Sequence, residues 1–173
     1  GRPRLFVGIS AGNVDSMVSH YTARKRLRST DAYSPGGRLN RPDRASLVYA
    51  DRLHSLFPKT PLVLGGIEAS LRRFAHYDYW SDRVRQSLLA DAPADLLVFG
   101  MGELTLSGIA HRLSSGEDVS EIVDIPGTLI KRSLHTPVDD LSRDAVFVPS
   151  FSEVSSDRYP YARAFSLIHA EQD

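Results

Sequence analysis

Residues 61–89 read PLVLGGIEASLRRFAHYDYWSDRVRQSLL, and this stretch decides the fold. The apolar run at 61–64 lies between Pro58 and two glycines, which predicts a short buried parallel strand. Gly65 and Gly66 lack a Cβ, so the backbone can turn sharply there and approach a neighbour or a ligand closely. We interpret the stretch as a strand, a functional loop and a helix beyond Trp80 whose buried face holds Val84, Leu88 and Leu89 and which ends near Pro93. A plain strand-to-helix turn at the glycines is the alternative, since no phosphate-loop spacing follows them.

Strand-like runs recur on either side of this stretch, at 5–10 (LFVGIS) and 95–99 (DLLVF). A helical pattern separates successive runs, with Asn13 or Asp15 as the predicted cap of the first helix and Asp43 as that of the second. Strand–helix units in tandem predict an α/β fold with a doubly wound, Rossmann- or flavodoxin-like, mostly parallel sheet. Because the first strand starts almost at residue 1, we expect that the sheet is truncated.

Beyond residue 116 the pattern changes. Residues 125–132 predict a turn and an edge strand, and residues 133–143 predict a polar loop. A short extended piece follows at 146–151, and residues 161–170 (YARAFSLIHA) predict a final helix with Phe165, Leu167, Ile168 and His169 available for burial. We therefore divide the chain into an α/β domain at 1–132 and a segment at 133–173 that holds a linker, a short strand and a helix.

The composition narrows the function classes. The 173 residues contain no cysteine, which excludes disulfides and cysteine-held zinc or iron–sulfur centres within this chain. No apolar run is long enough for a membrane span and the start is unlike a signal peptide, so we expect a cytoplasmic protein with no membrane partner. The 21 basic and 21 acidic residues balance, but seven basic residues against two acidic ones lie between Arg24 and Arg44. This basic loop is long, and it holds a partner or is a solvated arm.

The carboxyl ends of parallel strands are where open α/β sheets bind ligands, so the loops at Asn13, Gly65 and Gly100 are expected to meet at one edge. The candidate residues for binding or for a domain interface are those at or just after these strand ends: Asn13, Asp15, Ser16, Gly65, Gly66, Glu68, Ser70, Arg72, Arg73, His76, Tyr77, Asp78, Tyr79, Trp80, Gly100, Gly102 and Glu103.

Several of these side chains have both a chemical and a structural interpretation. His76 and Asp78 are the candidate acid/base pair, although capping or core hydrogen bonding explains them as well. Arg72 and Arg73 beside Glu68 either clamp a carboxylate or phosphate or form a surface ion pair. Glu103 suits a helix N-terminus. The aromatic residues Tyr77, Tyr79 and Trp80 offer stacking faces for a base or pack in a core or interface.

Five motifs occur in the order found in one family: SAGNVDSM at 10–17, YTARKRLR at 21–28, GGIEASLRR at 65–73, AHYDYW at 75–80 and GMGE at 100–103. Through them nearly the whole chain resembles the N-terminal domain of the YgiQ family of radical SAM proteins. The pattern at the two strand ends is also similar to the cobalamin-binding-type Rossmann domain that precedes many radical SAM barrels.

The resemblance implies a parent enzyme in which a barrel with a C-x-x-x-C-x-x-C motif holds a [4Fe-4S] cluster that cleaves S-adenosylmethionine. This chain has no cysteine, and it lacks the D-x-H-x-x-G loop that ligates cobalamin, so no metal or cofactor, cobalamin included, is expected on it. The resemblance implies a non-catalytic accessory domain whose partner is the barrel of the same protein, with the substrate left open. The other hypothesis is a nucleotide or nucleic-acid binding module that uses the basic loop 24–44 and the aromatic residues 77–80.

Overall fold

The computed structural model describes residues 1–31, 34–38, 40–132 and 144–171 of the chain. They form two compact units. Unit 1 contains Gly1–Phe74 and Ser87–Lys131, and unit 2 contains Ala75–Gln86 and Arg132–Asp173. The chain thus leaves unit 1 after Phe74 and returns to it at Ser87, so each unit is built from two separate segments.

The strands are β1 (Val7–Ser10), β2 (Leu62–Gly65), β3 (His76–Asp78), β4 (Arg83–Arg85), β5 (Leu96–Val98) and β6 (Thr128–Ile130). The helices are α1 (Ser16–His20), α2 (Ala45–Leu56), α3 (Gly66–Leu71), α4 (Leu88–Asp91), α5 (Glu103–Ser114), α6 (Phe151–Ser156) and α7 (Arg158–Ala170). Short 3-10 helices lie at Pro35–Gly37 and Val119–Glu121.

Unit 1 is organised around a four-stranded sheet in the order β1-β2-β5-β6. β1 pairs in parallel with β2, with Val7 opposite Leu62, and β2 pairs in parallel with β5, with Val63 opposite Leu96. β6 runs antiparallel to β5 at the edge, with Leu97 opposite Leu129. The prediction of an α/β fold with a mostly parallel, Rossmann-like sheet is confirmed.

The central strands are buried on both faces, which explains their continuous apolar sequence. Leu62 and Leu64 of β2 pack with Ala50 of α2 and with Leu88 and Leu89 on one face. Val63, the residue between them, points to the other face and packs with Ile109 of α5. Helices therefore cover both faces of the sheet.

Unit 2 combines a hairpin with the two C-terminal helices. β3 pairs with β4 in antiparallel register, with Tyr77 opposite Val84. The backbone N–H of Tyr77 donates to Tyr161 Oη of α7 at 3.0 Å. Ser150 and Glu153 form a capping box on α6, and Asp157 caps α7 by accepting from the Tyr159 N–H at 2.8 Å.

Two predictions about the segment after Gly65 are wrong. The helix α3 starts directly at Gly66, so the first part of the expected functional loop is a short helix, Gly66–Leu71. The helix expected beyond Trp80 is a β-hairpin followed by the four-residue α4, because Val84 pairs across to Tyr77 while Leu88 and Leu89 enter the core of unit 1. The amphipathic pattern that predicts this helix therefore combines Val84 of unit 2 with Leu88 and Leu89 of unit 1.

Other differences concern caps and burial. Asp43 does not cap α2, whose N-cap is Arg44 in the left-handed conformation (φ 50°), because the Asp43 carboxylate instead accepts from His20 and Tyr21. In α7 the buried residue is Ala164, whereas Phe165 and His169 stack on each other at the surface with ring centroids 6.3 Å apart. The predicted loop at 133–143 lies outside the described residues.

Candidate functional site

The loops that follow β1 and β2 meet at the carboxyl edge of the sheet. Gly66 begins α3 with φ +80°, a conformation that favours glycine. A Cβ at this position would collide with Ser10 Oγ at the end of β1, and it would lie 3.6 Å from the Gly12 carbonyl oxygen. The close neighbour of Gly66 is therefore the end of β1 and the loop that follows it.

Glu68 of α3 is buried, with 1% of its surface exposed, and it ties three segments together. Its carboxylate accepts from the backbone N–H of Ser16 at 2.8 Å and from that of Ser46 at 2.9 Å, at the start of α1 and of α2. Burial, the largest single effect, raises the pKa of Glu68, but hydrogen bonds from Ser16 and Ser46 outweigh it and the pKa is lowered. Glu68 is thus a charged structural anchor.

Asp15 joins the loop after β1 to the end of α3. Its Oδ1 accepts from the N–H groups of Met17 and Val18 at 2.9 and 3.2 Å, and so caps α1. Its Oδ2 accepts from Arg72 Nε at 2.9 Å and from Arg72 Nη2 at 2.5 Å. Arg72 is therefore committed to an intramolecular ion pair, which is largely buried and joins Asp15 rather than Glu68.

The loop after β5 joins the same edge through Ser70. The Gly100 N–H donates to Ser70 Oγ at 3.2 Å, and Arg73 Nη1 donates to the Ser70 carbonyl at 2.7 Å. The Arg73 guanidinium lies against the rings of Phe74 and Phe99, with its Cζ 5.2 and 5.1 Å from their centroids. The structure thus brings the ends of β1, β2 and β5 together around α3.

The rim of this edge is exposed. Asn13, Gly66, Gly100 and Glu103 lie at the surface, and Gly65, Ser70 and Gly102 are half-buried. Apolar side chains on the rim were missed from the sequence: Ile67 is 46% exposed, Met101 91% and Leu104 88%. The exposure of Leu104 could have been predicted from the helical period. At 3.6 residues per turn, Leu104 lies about 140° around α5 from the buried Ile109, away from the inner face of the helix.

The remaining candidates, residues 76–80, lie in unit 2. His76 and Asp78 share a strand and therefore one face of β3, not a turn. Asp78 is buried and accepts from Ser81 Oγ at 2.5 Å. The hydroxyl of Tyr77 donates to Asp82, which raises the pKa of Tyr77. Tyr79 and Trp80 make an edge-to-face ring contact with centroids 5.5 Å apart.

The basic loop divides into a surface part and a buried part. Arg24, Lys25 and Arg26 are exposed at a turn that is closed by the Thr22 N–H donating to the Arg26 carbonyl at 2.9 Å. Arg41, in contrast, is only 8% exposed and donates through Nη1 to the Ala11 carbonyl at 2.5 Å.

A buried polar cluster around His20, which was also missed, anchors the middle of this loop. His20 Nδ1 lies 2.8 Å from Asp43 Oδ1, and His20 Nε2 lies 3.7 Å from Asp31 Oδ2. Ser34 Oγ donates to Asp31 at 2.7 Å. The Tyr21 hydroxyl donates to Asp43 at 2.8 Å, and this hydrogen bond raises the pKa of Tyr21.

The donor set does not fit the iron–sulfur cluster that the resemblance implies for the parent. The chain has no cysteine to supply thiolate ligands. Within the described ranges, no group of three or more His, Asp or Glu side chains is arranged to hold a metal ion. No helix in those ranges is long and apolar enough to cross a membrane.

Comparison with known proteins gives a consistent result. A family model described as Radical SAM N-terminal matches residues 1–173. A UPF0313 protein of Methanocella arvoryzae is 52% identical over 174 residues, which cover 100% of this chain and 28% of that protein. A UPF0313 protein of Geobacter sulfurreducens is 52% identical over 100% of this chain and 28% of its own length. A UPF0313 protein of Thermotoga maritima is 51% identical over 96% of this chain and 29% of its own length. The chain thus spans less than a third of the length of these relatives. No solved structure matches it significantly.

Proposed function

The chain belongs to the radical SAM N-terminal family, and from this we propose that it is the accessory domain of a radical SAM enzyme of the YgiQ type, in which the carboxyl edge of its sheet faces the barrel. The relatives that it matches are more than three times as long, which leaves room for such a barrel. The cluster and S-adenosylmethionine then belong to the barrel, since this chain offers no thiolate. Its own part is to shape and cover the active site.

The observation that carries the proposal is the exposed apolar rim of Ile67, Met101 and Leu104 at the edge where three parallel strands end. Open α/β sheets bind their partners at this edge. Large apolar side chains that are exposed at one edge are typical of a surface that another protein part covers. The rim is held in place, because Glu68 and the Asp15–Arg72 pair tie the loop after β1 to α3, and Ser70 ties the loop after β5 to it.

The test introduces charge at the rim of the full-length protein. We expect Met101→Glu combined with Leu104→Glu to lower the rate of S-adenosylmethionine cleavage about tenfold or more, and to speed proteolytic release of this domain, because burying two carboxylates is unfavourable. Leu56→Glu is the matched control. Leu56 is 69% exposed at the end of α2, close to the start of β2 and so at the opposite edge of the sheet.

Equal behaviour of the rim variant and the Leu56 variant would show that the carboxyl edge does not face the barrel. Thermal unfolding of both variants serves as the check on folding. All three substituted side chains are exposed, so we expect little change in the unfolding midpoint of this domain in either variant.

A second candidate function, binding of single-stranded nucleic acid, is supported by the turn at Arg24–Arg26. Three cationic side chains project from a short hairpin whose Lys25 has a positive φ of 58°, so the turn has a defined shape. Arg41 contributes to the fold rather than to this surface, and the aromatic residues 77–80 belong to the other unit. The candidate therefore rests on the turn alone.

The salt dependence of RNA affinity tests whether this turn binds nucleic acid. For a labelled single-stranded RNA, each phosphate contact adds about 0.7 to the slope of log affinity against log salt. Replacing Arg24 and Arg26 with Gln should therefore lower that slope by about 1.4. Replacing the exposed Arg2 and Arg4 with Gln is the control that should leave it unchanged. RNA binding that is undetectable, or equal in both variants, removes this candidate.

A further inference from the structure

Three charged residues, Glu68, Arg72 and Arg73, lie at the carboxyl edge, and two of them are already used within the fold. Glu68 accepts from the amides of Ser16 and Ser46, and Arg72 is paired with Asp15 at 2.5 Å. Arg73 is different. In the part of the chain that the structure describes, Arg73 makes no ion pair with a carboxylate.

Arg73 is nevertheless held in one orientation. Its guanidinium lies near the rings of Phe74 and Phe99, at 5.2 and 5.1 Å from their centroids. Its Nη1 donates to the Ser70 carbonyl at 2.7 Å, and the hydroxyl of the same serine accepts from the Gly100 N–H. A planar cation that lies near two rings and donates to a carbonyl loses little further freedom when it binds, which favours recognition of a planar anion.

Two nitrogen donors on one edge of the Arg73 guanidinium make no hydrogen bond within the described residues. Nε is shielded from solvent and has no hydrogen-bond partner in the described residues. Nη1 is engaged by Ser70, so the pair formed by Nε and Nη2 is the edge that can donate two parallel hydrogen bonds, once the atoms that cover Nε move aside. A buried donor without an acceptor is unfavourable, and the arrangement that satisfies a fork of this kind is a bidentate oxyanion.

We propose that Arg73 binds a carboxylate or phosphate group through its Nε–Nη2 edge, at the end of β5 and α3. The inference rests on the proposed function, because it supplies the polar contact of the same rim. The group comes from a small-molecule substrate or from an acidic side chain in the rest of the full-length protein. Both sources present the same oxygen pair to the guanidinium.

The experiment uses the full-length protein, with inorganic phosphate as the probe. Thermal unfolding is followed up to about 20 mM phosphate at a fixed ionic strength near 0.15 M, because a ligand of the folded state raises the midpoint by mass action. Arg73→Met removes the charge, and Arg73→Lys keeps the charge but not the fork. Arg52→Met, on the exposed surface of α2, is the matched control.

For a small-molecule site, phosphate raises the midpoint of the wild type and of Arg52→Met, the response of Arg73→Met is lost, and Arg73→Lys binds about tenfold more weakly. For an acidic group of the same protein, phosphate has no effect. Arg73→Met and Arg73→Lys then speed proteolytic release of this domain relative to Arg52→Met, and the difference fades near 1 M salt, where an ion pair is screened but a packing defect persists.

The proposal is overturned if Arg73→Met, or Arg73→Lys should the methionine variant fail to fold, matches Arg52→Met in both measurements. It is also overturned if the difference in release persists unchanged at high salt. Failure of the rim proposal has a separate signature, because it is measured as equal behaviour of the Met101/Leu104 variant and Leu56→Glu, with Arg73 left unchanged.

Discussion

At the scale of single residues, Gly66 is constrained both by its positive φ and by the close approach of Ser10. A comparison with Gly100 separates the two effects. Gly66 and Gly100 both have a positive φ, of +80° and +71°, at the ends of neighbouring strands. A Cβ on Gly100 would meet nothing within 4 Å, whereas one on Gly66 would collide with Ser10 Oγ. Rotating Ser10 would relieve the collision but would break the hydrogen bond that its Oγ accepts from the Gly12 N–H at 3.1 Å.

We therefore expect Gly100→Ala to lower the free energy of unfolding by about 1–2 kcal/mol, which is the conformational term alone. Gly66→Ala should cost at least about 1 kcal/mol more, since it adds the loss of a hydrogen bond. Denaturant unfolding of both variants gives the comparison. Equal losses would mean that Ser10 adjusts freely and that β1 and α3 are not closely packed.

Glu68 makes the stability of unit 1 depend on pH in a defined direction. Because its pKa lies below the ordinary 4.5 in the folded protein, the stabilisation it provides is fully present above that value. The stabilisation is lost as the pH falls through the folded pKa, because the protonated carboxyl is a poorer acceptor for the Ser16 and Ser46 amides.

We expect Glu68→Gln to lower the unfolding free energy by about 1.5–3 kcal/mol at pH 7, the usual loss for a hydrogen-bonded charged group. The difference from the wild type should shrink as the pH is lowered below 4.5. Unfolding curves at several pH values measure it. A difference that is constant with pH would contradict the role of the charge.

At the scale of elements, α1 has only five residues and depends on its cap. Asp15 both caps this helix and pairs with Arg72, and two substitutions separate these roles. Asp15→Asn keeps a good capping oxygen and loses the ion pair, whereas Asp15→Ala loses both.

We expect Asp15→Ala to be less stable than Asp15→Asn by about 1 kcal/mol, the usual contribution of a cap. In the Arg72→Met background this difference should persist, since the cap does not involve Arg72. Chemical denaturation of the four variants tests it. If the alanine and asparagine variants were equally stable, the cap would contribute nothing to α1.

The parallel elements could be predicted because their evidence is local. The runs that form β1, β2 and β5 are short and apolar, and Ile109 and Leu113 mark the inner face of α5. The hairpin at β3 and β4 could not be predicted, because its aromatic and arginine residues fit both the helical and the strand period, and because its hydrogen bond to Tyr161 of α7 joins residues far apart in sequence.

The candidate site divides in the same way. The meeting of the loops at Asn13, Gly65 and Gly100 follows from parallel topology, which the sequence pattern contains. The pairing of individual charged side chains does not follow from the sequence pattern. Nothing local indicates that Asp15 pairs with Arg72 rather than Arg73, or that Asp43 accepts from His20 instead of capping α2.

At the scale of the whole molecule, unit 2 depends on contacts between its two distant segments. We expect Tyr161→Phe to accelerate hydrogen exchange of the Tyr77 amide about fivefold, since a neutral hydrogen bond of about 1 kcal/mol is lost. Tyr159→Phe is the matched control, because Tyr159 lies on the same helix and is 86% exposed. Exchange at Tyr77 that is unchanged by Tyr161→Phe would mean that the hairpin is ordered without α7.

The interruption of unit 1 between Phe74 and Ser87 also bears on how the chain is made in the cell. The hairpin leaves the ribosome before β5, α5 and β6, yet α6 and α7, the helices it belongs with, are synthesised after all three. At ~5–20 residues per second, its aromatic side chains wait several seconds for those helices while unit 1 closes around the gap. During that interval the hairpin is exposed without its partner helices, and unpaired strand edges and apolar surface of this kind make a nascent chain prone to aggregation.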